Sequence, residues 1–176
     1  MAIRDIVLYP DAPLREIAEP VDDVDPDISR LIEDMFETME AYDGSGLAAP
    51  QVGVSKRICV LTHPKNGNRV CLINPEISEA EGTEQAEEGC LSFPQLYADV
   101  ARAARIHVRA LDARGKPLDF LADDWLARVV QHEADHLDGI VFPDRLDILS
   151  REDKLLEWRA IRENLRTSVE KGASNV

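Results

Sequence analysis

The sequence predicts an α+β fold in which antiparallel β-hairpins pack around a central helix, with one further helix near each end. Three observations support this prediction. Short β-branched runs occur in pairs separated by turns, three segments carry apolar residues at helical spacing, and helical and extended segments do not alternate strictly. With 176 residues, 44% of them hydrophobic, the chain is long enough for one domain with a full core.

The first helix is predicted over residues 25–42. Asp25 is a typical N-cap, and Pro26 suits the first helical position, where no N–H group is needed. The apolar residues that follow share one helical face: Ile28, Leu31, Ile32, Met35, Met39 and Tyr42. We therefore expect this helix to pack on the core.

Two β-hairpins are predicted next. The runs "RICVLT" (57–62) and "VCLIN" (70–74) are separated by the turn-like "HPKNGN". Further on, "RIHVRALD" (105–112) alternates apolar and polar residues, and "ARGKP" turns the chain toward "LDFLA" (118–122). Each pair indicates two neighbouring antiparallel strands.

Two more helices complete the prediction. Asp123 or Asp124 can cap the central helix, which is expected to end near Gly139. Its apolar positions are Leu126, Val129, Val130 and Leu137. Ser150 and Asp153 resemble a capping pair for the last helix. We expect that helix to cover residues 148–170 and a flexible tail to cover residues 171–176.

Charge and composition exclude several classes of protein. The formal net charge of −14 argues against stable nucleic-acid binding, because neutralising phosphates needs clustered Lys and Arg. We see no charged leader before an apolar run, and no apolar stretch approaches 18 residues, so we expect a cytoplasmic protein without membrane contact. Three cysteines, an odd number, suit a reducing compartment.

The segment "QHEADH" (131–136) holds the strongest chemical signal. On a helix, His132 and His136 lie one above the other, so both imidazoles can bind one metal ion. Glu133 lies about 100° round the helix from His132 and can serve as a general base without binding the ion. Two of only four histidines have this spacing around a Glu, which favours a metal-binding helix over two unrelated surface histidines.

The residues alone leave the third ligand open. A long zinc-protease signature would place a third His where Phe142 stands. Cys90 is the best candidate, because it follows a Gly in a polar segment before the strand-breaking Pro94. One thiolate and two imidazoles would leave a fourth position open, as in catalytic sites. Surface or core positions are the simpler assignment for the other candidates: His63, His107, Cys59 and Cys71.

The glycine-rich segment "DGSGLAAPQVG" (43–53) superficially resembles a dinucleotide-binding loop. That interpretation fails, because a helix rather than a strand precedes it. Gly44 and Gly46 would instead let the backbone approach an extended ligand, and Gln51 could place its amide beside a developing oxyanion. A flexible turn after the helix is the alternative.

Together these segments resemble the motifs of the bacterial peptide deformylases: "GSGLAAPQ" (44–51), "EGCLS" (88–92) and "QHEADH" (131–136). The resemblance extends over residues 3–147. It implies the peptide deformylase fold, with residues 1–147 as the catalytic domain and residues 148–170 as a helix of the same domain. It also implies a hydrolase that removes the N-formyl group from the formyl-methionine of new polypeptides and releases formate.

The same resemblance assigns roles to individual residues. It implies that one divalent ion, natively Fe²⁺ with Zn²⁺, Ni²⁺ or Co²⁺ as alternatives, is bound by Cys90, His132 and His136. Glu133 would be the acid and base, while Gln51 and the Leu91 N–H would hold the formyl oxygen. Glu88 and Arg102 would pair to support the Cys90 loop. The substrate would be contacted by Gly44, Gly46, Gly89, Tyr97, Trp125 and Val129.

Two segments depart from the pattern that the resemblance implies. Asp124 and Trp125 stand where the family commonly has Gly-Leu, so Trp125 is either a wall of the pocket for the Met side chain or a surface residue. Tyr97 is expected in a loop that faces the residues after Met. Both substitutions bear on substrate preference.

Two other functions compete with deformylation. A zinc endopeptidase is disfavoured by Phe142, and a non-catalytic, ribosome-associated metal-binding module is disfavoured by Glu133 and Gln51, which a structural ion does not need. The last helix bears on the ribosome, since Arg159, Arg162 and Arg166 share one of its faces. A solvated face is the simpler interpretation, and a transient ribosome contact is the alternative.

Overall fold

The structure, a computed structural model, describes residues 2–173. Its strands are β1 (Gly46–Ala48), β2 (Ile58–Thr62), β3 (Arg69–Glu81), β4 (Glu84–Cys90), β5 (Phe93–Arg102), β6 (Arg105–Leu111) and β7 (Pro117–Asp123). Its α-helices are α1 (Pro26–Ala41), α2 (Asp124–Leu137) and α3 (Ile148–Ala173). The predicted α+β class with antiparallel pairing is confirmed. None of the helices within the described residues is long and apolar enough to cross a membrane.

The strands form one five-stranded antiparallel sheet in the order β1-β2-β3-β6-β7 and a separate hairpin, β4-β5. Successive side chains of a strand point to opposite faces of the sheet. In β2, Ile58 and Val60 accordingly pack with α1, while Cys59 and Leu61 pack with α2. The large sheet therefore lies between the first two helices and fixes where α2 can sit.

Both predicted hairpins are present, and β3 is longer than expected. β2 pairs with β3 and β6 pairs with β7, and both Cys59 and Cys71 are buried. The register of β3 against β6 shifts between Ile73 and Glu76. Pro75 lies at this shift and has no N–H group to donate, which accounts for an interruption rather than an end of the strand.

The caps agree with prediction at α1 but not at α3. The Asp25 carboxylate accepts a hydrogen bond from the N–H of Ile28 (2.8 Å). The predicted Ser150–Asp153 capping pair is wrong, because α3 begins at Ile148 and Asp147 accepts from the Ser150 N–H (3.2 Å). The helix continues through residues 171–173 of the predicted tail, and residues 174–176 lie outside the described part.

The hairpin β4-β5 is a correction to the sequence prediction, which treated the Cys90 segment as a polar approach to a loop. Cys90 ends β4, and Tyr97 lies within β5 opposite Gly89 rather than in a loop. Pro94 does not break the strand. The pairing passes from Gly89↔Tyr97 to Cys90↔Phe93, so Pro94 falls in a bulge where no ladder N–H is required.

Candidate active site

Three potential metal ligands meet where the end of β4 approaches α2. The sulfur of Cys90 and the ring nitrogens of His132 and His136 all lie within 4.8 Å of one another. Cys90 Sγ is 3.3 Å from His136 Nε2. Among the residues that the structure describes, this is the one such cluster of His, Cys, Asp and Glu. The geometry thus places Cys90 beside the two histidines, as predicted for the third ligand.

The other two histidines are occupied elsewhere. His107 Nε2 lies 2.6 Å from the Asp119 carboxylate, across the β6-β7 pair. His63 Nδ1 accepts a hydrogen bond from the Lys65 N–H (3.2 Å) in the turn after β2. Neither histidine belongs to the cluster.

Glu88 lies two residues before Cys90 in β4 and supports the cluster. His132 Nδ1 lies 2.9 Å from Glu88 Oε2, and Arg102 donates to both carboxylate oxygens (2.9 and 3.0 Å). Burial raises the pKa of Glu88, but the hydrogen bonds from His132 and Arg102 outweigh it and lower the pKa to about 2. The carboxylate is therefore anionic and holds the Nδ1–H of His132, which directs Nε2 away from it.

The pKa values of His132 and His136 shift in opposite directions. Burial lowers the pKa of His136 well below its usual value, which favours the neutral ring that binds metals. Burial also lowers the pKa of His132, but hydrogen bonds to Cys90 and Glu88 outweigh it and raise the pKa well above the usual value. The raised pKa of His132 favours its protonated ring. A metal ion that binds His132 must displace this additional proton, so metal binding would release a proton.

Behind Glu88 lies an ionic network that the sequence analysis missed. Arg102 also pairs with Asp135, and Asp135 accepts from Arg145 Nε (2.9 Å). Arg128, almost fully buried, donates to Glu88 Oε1 (2.7 Å). The sequence carried a usable signal, because residues 128, 132 and 135 share one face of α2.

Glu133 lies at the cluster, and its environment suits proton transfer. It is 4% exposed, and its Oε2 atom has no hydrogen-bond partner among the described residues. Burial raises the pKa of Glu133 to about 7, with nearby His132 acting in the opposite direction. A group with this pKa can both accept and return a proton near neutral pH.

Gln51 also lies beside the cluster. It lies in a 3₁₀ turn, Ala49–Val52, directly after β1. Its Oε1 accepts from the Ala48 N–H (2.8 Å), which fixes the side chain, and its Nε2 lies 3.4 Å from Cys90 Sγ. The same nitrogen lies 3.3 Å from the Ser92 hydroxyl oxygen, so the amide donates toward both Ser92 and Cys90 of the cluster.

A cavity of about 1010 Å³ opens onto these groups. The predicted substrate-contacting residues all line it: Gly44, Gly46, Gly89, Tyr97, Trp125 and Val129. Leu91, predicted to hold the formyl oxygen through its backbone N–H, lines it as well. Trp125, for which a pocket wall and a surface position were both considered, lines the cavity while remaining 44% exposed. The structure therefore brings together residues from three separate segments of the sequence.

One border of this cavity is Gly46 at the start of β1, one of the two edge strands of the large sheet. The sequence alone allows this glycine segment to be a flexible turn. Gly46–Ala48 instead pair with β2 on one side only, which leaves the other edge of the strand unpaired within the sheet. Such an edge can accept an extended peptide.

Comparison with known proteins agrees with this geometry. The sequence model of the polypeptide deformylase family matches residues 3–152. The chain belongs to this family. It is 49% identical to the peptide deformylase of Alkalilimnicola ehrlichii over 178 aligned residues, covering all of this chain and 96% of that protein.

Solved deformylase structures share the fold as well as the sequence. The crystal structure of a peptide deformylase from Legionella pneumophila is 41% identical with a TM-score of 0.88, covering 94% of this chain and 98% of that one. A peptide deformylase from Ehrlichia chaffeensis, solved in complex with actinonin, is 41% identical with a TM-score of 0.85, covering 89% and 96%. The predicted deformylase fold is confirmed.

The contact between Gly46 and Glu133 gives a first test of this deformylase site. A Cβ atom added to Gly46 would lie 2.9 Å from Glu133 Cγ and still closer to its carboxylate, so Gly46→Ala must displace Glu133. We expect kcat to fall about 10- to 100-fold, since misplacing a reacting group by about 1 Å has effects of that size. Steady-state kinetics check this, with Ala101→Gly on the exposed side of β5 as a control. A Gly46→Ala variant with unchanged kcat would contradict the expectation.

Proposed function

We propose that this chain hydrolyses the N-formyl group of formyl-methionine at the start of newly synthesised polypeptides and releases formate. The observation that carries the proposal is the convergence on one cavity of Cys90, two histidines, Glu133 and the Gln51 amide, beside an open strand edge. Membership in the polypeptide deformylase family supports the same reaction.

The residues present fit a divalent metal ion. Cys90, His132 and His136 offer one sulfur and two nitrogens close together, and Glu88 orients His132 from behind. We propose Fe²⁺ as the native ion, as the family resemblance implies; thiolate and imidazole ligands also suit Zn²⁺, Ni²⁺ and Co²⁺. When bound, the ion would supply Lewis-acid chemistry, which polarises a carbonyl group and lowers the pKa of water toward about 7.

The side chains around the ligands would perform the proton transfers and stabilise the developing charge. Glu133 takes a proton from the attacking water and delivers it to the departing amine, because its pKa of about 7 suits both steps. The Gln51 amide and the backbone N–H of Leu91 donate to the oxygen that becomes negative. Glu88 and Arg102 hold His132 in place throughout.

The remaining cavity residues would bind the peptide. Its backbone adds to the free edge of β1 as a further strand, beside Gly44, Gly46 and Gly89, which line the cavity. Trp125 and Val129 form a wall for the methionine side chain, and Tyr97 faces later residues of the substrate. Formyl is the smallest acyl group, so crowding at the cluster selects against acetyl.

The direct test is formate release from formyl-Met-Ala-Ser, with acetyl-Met-Ala-Ser as the matched substrate. Protein is purified anaerobically and reconstituted separately with Fe²⁺, Zn²⁺, Ni²⁺ and Co²⁺. Metal-dependent release from the formyl peptide alone supports the proposal, and the Fe²⁺ form is expected to be the fastest. Absence of release from every form, or cleavage at internal peptide bonds, would overturn it.

Gln51 gives a second prediction. Replacing it by Leu removes an N–H donor while nearly keeping the volume, so kcat should fall about 10²- to 10³-fold with little change in KM. Gln131→Leu is the control, because the Gln131 amide bonds only the backbone of Ala103 and Ala127 and does not line the cavity. Equal kcat values for the two variants would remove Gln51 from the mechanism.

The proposed substrates also indicate where in the cell the protein acts. Because the substrates are nascent chains, we place the protein in the cytoplasm, in transient contact with the ribosome through α3. Arg159 and Arg166 are exposed on this helix, while Arg162 lies 3.3 Å from Asp11. Ribosome pelleting of an Arg159→Ala/Arg166→Ala variant tests the contact. We expect this variant to pellet less with ribosomes than the unmodified chain and to release formate at the same rate. Equal pelleting of the two proteins would contradict the ribosome contact.

A further inference from the structure

Arg128 ties α2 to both strands of the β4-β5 hairpin. Its guanidinium donates to the carbonyl oxygens of Glu84 in β4 (2.7 Å) and Val100 in β5 (2.8 Å). It also donates to the Glu88 carboxylate (2.7 Å). The residue is 3% exposed although it lines the cavity, so these bonds are largely shielded from bulk water. They join the helix that carries both histidines to the hairpin that carries Cys90.

The donors around Glu88 are divided between its two oxygens. Oε1 accepts from Arg102 Nε and from Arg128, while Oε2 accepts from Arg102 Nη2 and lies next to His132 Nδ1. Arg128 and His132 are four residues apart on α2 and therefore lie on the same face. One turn of the helix thus holds the carboxylate from both sides.

We propose that Arg128 is a positioning residue for the metal site. By holding Glu88 Oε1 and the hairpin backbone together, it sets the orientation of His132 and the separation between Cys90 and the two histidines. A guanidinium suits this task because its planar fork can bridge several fixed acceptors, which a Lys ammonium cannot reproduce. The inference rests on the proposed function only in that the cluster binds a divalent ion.

Arg57 is a matched control, because it anchors the other end of the same helix. It donates to the Leu137 carbonyl (3.3 Å) and pairs with Asp138 (2.6 Å). It contacts neither Glu88 nor any member of the cluster. Replacing Arg57 therefore removes an anchor of α2 while leaving the contacts of Glu88 in place.

The experiment measures metal binding separately from catalysis. Zn²⁺ affinity is obtained by chelator competition, and the Co²⁺-loaded protein is examined for the thiolate-to-cobalt absorption band. For R128M we expect a 10- to 100-fold loss of Zn²⁺ affinity, the usual effect of removing a group that supports a ligand. We also expect a weakened cobalt band and, at saturating metal, a lower kcat with KM within about twofold.

Two further variants separate positioning from structural support. R128K retains a cation for Glu88 but gives up the backbone bonds, so its Zn²⁺ affinity should lie between those of R128M and the unmodified protein, and it should be less heat-stable than the unmodified protein. R57M should lose heat stability without changing Zn²⁺ affinity. If R128M fails to fold, R128Q takes its place in the same measurements.

Clear results would overturn the proposal. Unchanged Zn²⁺ affinity and an unchanged cobalt band in R128M, or in R128Q if it is used, would show that Arg128 only stabilises the hairpin. Additive losses of affinity from R128M and E88Q in the double variant would show that Arg128 does not act through Glu88. Failure of the proposed function would appear separately, as absence of formate release from the unmodified protein.

Discussion

Replacing Glu133 by Gln is expected to lower kcat for formyl-Met-Ala-Ser by about 10²- to 10⁴-fold, the usual contribution of a general base. Gln has nearly the same shape but cannot accept the proton of the attacking water. Glu133 is not one of the three proposed ligand residues, so the variant should bind its metal ion as the unmodified protein does. Formate release and metal content, measured on the same preparation, check both parts.

The control for this variant is Glu152→Gln, which removes an exposed carboxylate from α3, far from the cavity lining. It should leave kcat unchanged. Substantial formamide hydrolysis by Glu133→Gln, with the metal retained, would remove Glu133 as the base. Loss of metal from that variant would instead show that Glu133 acts as a ligand.

Replacing Arg102 by Met is expected to lower the free energy of unfolding by about 3–5 kcal/mol, the range found when one partner of a buried ion pair is removed. Arg102 is 5% exposed and lies between two carboxylates, those of Glu88 and Asp135. Its removal leaves the buried carboxylates of Glu88 and Asp135 near each other with fewer hydrogen-bond donors. Urea unfolding of the metal-free protein measures the change without a contribution from metal binding.

Arg109→Met serves as the control for Arg102→Met. Arg109 pairs with Asp119 at 3.4 Å, but both side chains are more than 60% exposed. Exposed pairs contribute little, so the change should stay within about 0.5–1 kcal/mol. A loss below about 1 kcal/mol for Arg102→Met would mean that the network behind Glu88 adds little to stability.

The parts of the fold that could be predicted are those with local signals. Helix α1 has its cap, its Pro and its apolar face within residues 25–42, and the two predicted hairpins have turns between β-branched runs. The β4-β5 hairpin lacks such signals. In "EQAEEGC" only Glu88 is buried, and it is a charged residue whose burial depends on partners elsewhere in the chain. No local pattern marks such a strand.

The candidate site also has a part with local sequence signals and a part without them. His132, Glu133 and His136 are close in sequence, and helical spacing alone places them together. The contact of Cys90 with His136 joins residues 46 positions apart, and it could be chosen only by elimination and by family resemblance. Arg128, Asp135 and Arg145 were missed because buried ion pairs depend on how α2, the hairpin and the loop before α3 meet in space.

The separation of the hairpin from the large sheet has a consequence for dynamics. No strand pairing joins β4-β5 to the other five strands within the described residues, and the three proposed ligands are divided between the hairpin and α2. A bound ion would therefore act as a cross-link between two units that can open separately. Amide hydrogen exchange in β4-β5 should then be slowed by metal more than exchange in β2-β3, because only opening of the first unit breaks a ligand bond.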